Sequence, residues 1–103
     1  MTTKWTPGPW KYEEELRANM SSIIGDDRVV AAIPNEFEFD GDEGLAAQRA
    51  NAHLIAAAPA LYEALDDVLR WAAERYGDKL PLEFGAAKRA LRVARGDDGK
   101  DTE

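Results

Sequence analysis

The stretch that decides the fold is Arg49 to Leu69, RANAHLIAAAPALYEALDDVL. It reads as two helical runs hinged at Pro59, which cannot continue a hydrogen-bond ladder but suits the first turn of a new helix. The expectation is a first helix from about Leu45 to Ala58 and a second from about Pro59 to Tyr76, with Gly77 as its C-cap. In the first, Ala47, Ala50, Leu54 and Ala57 form a stripe. Ala46, Ala52, Ile55, Ala56 and Ala58 widen it almost all the way round, so this helix is expected to be sandwiched. In the second, Leu61, Leu65, Val68, Leu69, Ala72, Ala73 and Tyr76 keep the 3.6-residue period. Its other face carries Glu63, Asp66, Asp67, Arg70 and Glu74.

Upstream, the period changes to two. Trp10, Tyr12 and Leu16 alternate with charged residues and predict a first strand. Ser22 to Ile24 and Arg28 to Ile33 predict a second and third, with Val29, Ala31 and Ile33 on one face. Gly25 is expected to supply the left-handed backbone of the short hairpin between them. Residues 1–9 read as irregular because Pro7-Gly8-Pro9 forbids a helix. Pro34 to Gly44, with five carboxylates, reads as an acidic loop, or alternatively as a short strand through Phe37 and Phe39. Downstream, Phe84, Ala87, Leu91 and Ala94 predict the buried stripe of a third helix, stopped by Gly96. Residues 97–103 read as a flexible acidic tail. The expected architecture is α+β: a short antiparallel three-stranded meander followed by two or three packed helices, in a single domain over 1–96.

Composition narrows the function. The chain has 103 residues, a net charge of −7 and no cysteine, which excludes disulfides, thiolate metal sites and a cysteine nucleophile. Residues 1–44 hold 4 basic and 10 acidic side chains, whereas 81–103 balance at 5 and 5. So acidic a chain repels phosphate backbones at long range, and no direct nucleic-acid partner is expected. No apolar run reaches the roughly 20 residues of a membrane span, and Met1 to Lys11 lacks the apolar region of a signal peptide. The expected address is the cytoplasm.

Candidate site residues fall into three groups. Arg49 and His53 stand one helical turn apart on one face. Lys88 and Arg92, with Arg89 and Arg95 beside them, make the one local basic ridge, suited to a phosphate-bearing ligand or an acidic partner. Cations near a helix C-terminus also have a plain structural use, since they complement the macrodipole. Trp5 and Trp71 are candidates for a partner or self-association surface. Glu36, Glu38, Asp40 and Asp42 could meet a basic cleft; their spacing departs from a calcium loop at the fifth and sixth positions, so no metal is expected. His53, the only histidine, has no nucleophile arranged beside it. No catalytic residue and no cofactor is expected.

Three features together carry a resemblance: TPGPW (Thr6 to Trp10), Val30-Ala31 at the end of the sheet, and RANAHLIAAAPALYEAL (Arg49 to Leu65). They are similar to a group of small phage and prophage proteins with an ANARLIAAAP-like segment before a leucine-rich helix. His53 stands where those relatives have Arg, which weakens any case for a catalytic histidine. The resemblance implies a phage accessory protein, acting in the bacterial host by binding. The leading expectation is an inhibitor of a bacterial defence system that either sequesters a small nucleotide-type signal in a homo-oligomer or occludes a host protein. The alternative is a structural or assembly factor that self-associates.

Overall fold

The computed structural model describes residues 5–35 and 37–97; of residues 37–40 the backbone alone is described. The α+β expectation holds. Strands β1 (Trp10–Glu13), β2 (Met20–Gly25) and β3 (Arg28–Pro34) form an antiparallel sheet in the order β1-β2-β3. Helices α1 (Phe37–Ala56), α2 (Ala58–Tyr76) and α3 (Phe84–Ala94) follow. The chain gathers into two compact units that divide between Ala60 and Leu61.

In the first unit α1 lies against β1 and β2. Several sequence expectations shift here for local reasons. Strand β1 ends at Glu13 instead of reaching Leu16, because the Glu15 amide turns away to donate to Ser21 Oγ at 3.0 Å. The β2–β3 turn takes its positive φ at Asp26 (51°) and Asp27 (61°), as a two-residue hairpin loop with both central residues left-handed requires. Gly25 serves instead as the floor beneath Trp10, its register partner; an added Cβ would overlap the indole, 2.8 Å from Nε1. Ile23 pairs with Ala31 but Ile24 pairs with Val29, so Val30 is an extra residue on β3. This bulge moves Val29 off the face shared by Ala31 and Ile33 and leaves it exposed.

The described part of the expected loop, residues 37–44, is neither loop nor strand. It turns helical at Phe37, and α1 is broken at Gly41, where φ is 60° and ψ is −139°. Only glycine enters that region at little cost, so Gly41 is what lets a short helical turn join the main helix at an angle. The stripe expected on α1 is also out of phase. Ala47, Ala50 and Leu54 are exposed, while Gly44, Gln48 and Ala52 are buried. With alanine on nearly every side, apolar spacing could not set the phase; a buried glutamine does so. Helix α1 is therefore covered on its sheet side and open on its alanine side.

In the second unit α2 and α3 form an antiparallel hairpin clasped at both ends. Tyr62, early in α2, accepts from Arg95 at the end of α3 at 2.9 Å. Tyr76, at the end of α2, lies 6.5 Å ring to ring from Phe84 at the start of α3. Gly77 (φ 56°) ends α2 in the left-handed conformation, as expected. Gly96 (φ 90°) ends α3, its amide reaching Val93 and that of Asp97 reaching Arg92, the Schellman pattern. Phe84, Ala87 and Leu91 face inward, but Ala94 is exposed. On α2 the inward residues are Tyr62, Leu65, Leu69 and Ala72; Leu61, Val68, Ala73 and Tyr76, expected on the same stripe, stay exposed.

Candidate functional site

The buried centre of the first unit is polar. Asn35, just past the proline that closes β3, is 5% exposed, and Gln48 of α1 is 2% exposed. Asn35 Oδ1 accepts from Ser21 Oγ at 2.8 Å and from Gln48 Nε2 at 2.9 Å. Asn35 Nδ2 donates to the carbonyls of Glu15 and Ala18 at 3.0 and 2.7 Å. Gln48 also donates to Tyr12 Oη at 3.0 Å. Among the described residues no buried side-chain nitrogen or oxygen lacks a partner. Satisfied networks of this kind fix a unique packing, because each unpaired member would be costly. This one ties the β1–β2 loop, β2, the exit of β3 and α1 together.

At its rim stand the two residues that helical spacing alone had singled out. The Arg49 guanidinium forms a two-pronged pair with Glu14, Nε to Oε1 at 2.7 Å and Nη2 to Oε2 at 2.9 Å. That hydrogen bonding, more than charge at a distance, holds the Glu14 carboxyl below its ordinary range and raises Arg49 further. His53 is exposed and stands edge-on to Tyr12, ring centroids 5.7 Å apart. Arg49 thus ties α1 to the residue just past β1, and His53 packs against Tyr12 on β1. The two-pronged Arg49–Glu14 pair acts as a clamp.

Motif residues of the N-terminal segment are similarly structural. Trp10 Nε1 donates to the Thr6 carbonyl at 2.9 Å. Gly8 packs so closely on Pro59 that a Cβ would come within 2.9 Å of the ring. The two halves of the TPGPW and AAAPAL pattern therefore meet in space.

The second unit holds an open groove of about 560 Å³ between α2 and α3. Leu69, Ala73 and Leu91 give it an apolar base, and Arg70, Lys88, Arg89, Arg92 and Arg95 line it. Five cations thus converge in a chain of net charge −7. Among them, Arg70 pairs with Asp66 one turn back, and Arg95 donates to Tyr62 Oη. That bond is the main reason the Arg95 guanidinium is raised above its ordinary value. Arg92 is half-buried, while Lys88 and Arg89 are exposed. Gly85 borders the groove with open space where a Cβ would stand. The spacing of Lys88, Arg92 and Arg95 was legible in the sequence. Arg70 and Tyr62 were not, since they come from the other helix and only the antiparallel hairpin brings them across.

Of the remaining candidates, Trp71 is 55% exposed and stands edge-on to Tyr76 at 6.3 Å. Trp5 is half-buried, and Asp42 is exposed just after the break in α1. Glu36 lies outside the described residues, as do the side chains of Glu38 and Asp40. Among the described residues no three metal-ligating side chains converge, and no helix is long and apolar enough to cross a membrane.

No curated protein and no solved structure matches the chain. A family profile does, over residues 1–98, and it spans both the polar network and the cationic groove. The chain belongs to the family described as Salmonella phage P22 protein Y8K6.

Proposed function

We propose that this phage-family protein works by binding and not by catalysis, and that the groove between α2 and α3 is its ligand site. In the infected cell it would hold a small nucleotide-type signal away from a host defence system. The observation that carries the reading is the convergence of Arg70, Lys88, Arg89, Arg92 and Arg95 over an apolar base. Guanidinium forks match phosphate geometry two bonds at a time, and the base offers Leu69, Ala73 and Leu91 to the body of a base or sugar. The groove's volume lies within the roughly 300–1,000 Å³ typical of small-molecule sites. Because Lys88 and Arg89 are exposed, binding is expected to weaken as salt is added. Helix-dipole complementation accounts for cations at the end of α3; it does not account for Arg70, which comes from the middle of the neighbouring helix.

The test is isothermal titration against cyclic nucleotides and ADP-ribose derivatives, with the wild type and the double variant Lys88→Ala, Arg89→Ala. One of these ligands is expected to give saturable heat. Charge-assisted hydrogen bonds contribute about 1.5–3 kcal/mol each, so the double variant should bind at least tenfold more weakly. Absence of heat with every ligand would overturn the reading.

A further inference from the structure

Taking the groove between α2 and α3 as the ligand site proposed above, we infer that it is polarised along its length and that Gly85 sets what it accepts. The ligand places a flat uncharged ring over Gly85 and Ala73 and its phosphate among the cations further along. Five other glycines have a visible cause: Gly8 and Gly25 are pressed by Pro59 and Trp10, and Gly41, Gly77 and Gly96 turn the backbone left-handed. Gly85 has neither. It sits inside α3, its φ is outside the left-handed range, and a Cβ there would meet nothing within 4 Å. Glycine is among the poorest helix formers, so neither backbone nor packing explains it. What glycine does allow is close approach of a ligand to the backbone, and Gly85 lines the groove.

The two ends of the groove differ in chemistry. Gly85 precedes Lys88, Arg89 and Arg92 by three, four and seven residues, so a side chain in its place would share their face. Yet the first turn of α3, Phe84 to Ala87, holds no charge, and the cations begin at Lys88. Across the groove Ala73 is nearly as small, and it too lies toward the end where Tyr76 meets Phe84. The amides of Phe84 and Gly85 already donate to the carbonyls of Pro81 and Leu82, at 3.1 and 2.9 Å. They are engaged within the chain, so this end offers a ring an uncharged seat and a phosphate little. Arg92 and Arg95 lie toward the other end, and Gly85 to Arg95 covers roughly 15 Å at about 1.5 Å per residue. A phosphate held among those guanidiniums leaves room for a sugar and a ring to reach Gly85.

Titration calorimetry with a matched pair of probes tests this: AMP and ribose 5-phosphate, which share sugar and phosphate and differ in the ring. AMP should bind the wild type at least about tenfold more tightly, since only its ring adds apolar surface to bury. Gly85→Leu should weaken AMP about tenfold, as a bulky group forced into occupied space does, and leave ribose 5-phosphate within about twofold. Gly85→Ala should weaken AMP by less. Circular-dichroism melts of both variants should lie no lower than that of the wild type, because alanine and leucine are better helix formers. Equal affinity of the wild type for the two probes, an AMP affinity unchanged in Gly85→Leu, or a Gly85→Leu chain that melts well below the wild type overturns the inference. So does a folded Gly85→Leu that loses both probes alike, or a wild type that binds neither. The groove's standing as a ligand site is lost only if the cyclic nucleotides and ADP-ribose derivatives give no heat either, so the two failures are told apart.

Discussion

Asn35→Ala should be the most damaging single truncation in the first unit, although it removes only a few atoms and no apolar surface. The residue makes four hydrogen bonds from a 5% exposed position. Its loss leaves the Ser21 hydroxyl, itself fully buried, without the acceptor 2.8 Å away. An unsatisfied buried group costs about 1–3 kcal/mol, and each amide bond to the Glu15 and Ala18 carbonyls contributes about 0.5–1.5 kcal/mol. The sum is about 3 kcal/mol, a large share of the 5–15 kcal/mol of a typical domain. Gln48→Met is the comparison. It keeps the volume, and Asn35 Oδ1 still accepts from Ser21, so the cost should be about 1 kcal/mol. Urea unfolding followed by far-ultraviolet circular dichroism measures both. For a domain of this size 1 kcal/mol shifts the melting temperature by roughly 4–8 °C, so Asn35→Ala should melt at least 10 °C lower. An Asn35→Ala protein within 0.5 kcal/mol of wild type, or no less stable than Gln48→Met, would falsify the claim that the network holds this unit together.

Two further outcomes follow from the packing. Gly25→Ala should displace the Trp10 ring and break its bond to Thr6, costing about 1–3 kcal/mol as overpacked substitutions do; a fluorescence spectrum and urea midpoint unchanged from wild type would contradict this. Arg49→Met should lower stability at neutral pH. The Glu14 carboxyl is depressed in the folded state, so the ion pair's contribution is present above the ordinary carboxylate value and is lost as pH falls through the lowered one. The gap between variant and wild type should therefore close in acid. A gap constant from pH 7 to well below the carboxylate range would show that Arg49 acts only through packing.

The meander, the break between α1 and α2 and the ends of α2 and α3 were legible because each has a local cause: alternation over β1 to β3, Pro59 near the start of α2, and glycine after α2 and α3; the start of α1 at Phe37 was not, since it lies beyond the backbone break at Gly41. Register was less so. The bulge at Val30 depends on how β3 pairs with β2, and nothing in VVAAI itself marks the extra residue. The phase of α1 was hidden for the opposite reason, since alanine on nearly every side satisfies any phase. What fixes it is Gln48, a polar residue that apolar counting passes over and that finds its partners 13 and 36 residues away. The candidate site divides the same way. Lys88, Arg92 and Arg95 share one helix and could be read from spacing; Arg70 and Tyr62 join them only through the hairpin. Arg49 and His53 looked functional because no helical packing explained them, and the explanation turned out to lie in Tyr12 on β1 and in Glu14 just past it.

The central claim is that the groove of the second unit binds a phosphate-bearing small molecule. A ¹⁵N–¹H correlation spectrum recorded while a cyclic nucleotide or an ADP-ribose derivative is added tests it most directly, because it reports affinity and location together. Saturable shifts should centre on the amides of Gly85, Lys88, Arg89 and Arg92, with those of Arg49 and His53 unmoved. Shifts confined to the first unit, or none with any of these ligands, would contradict the account.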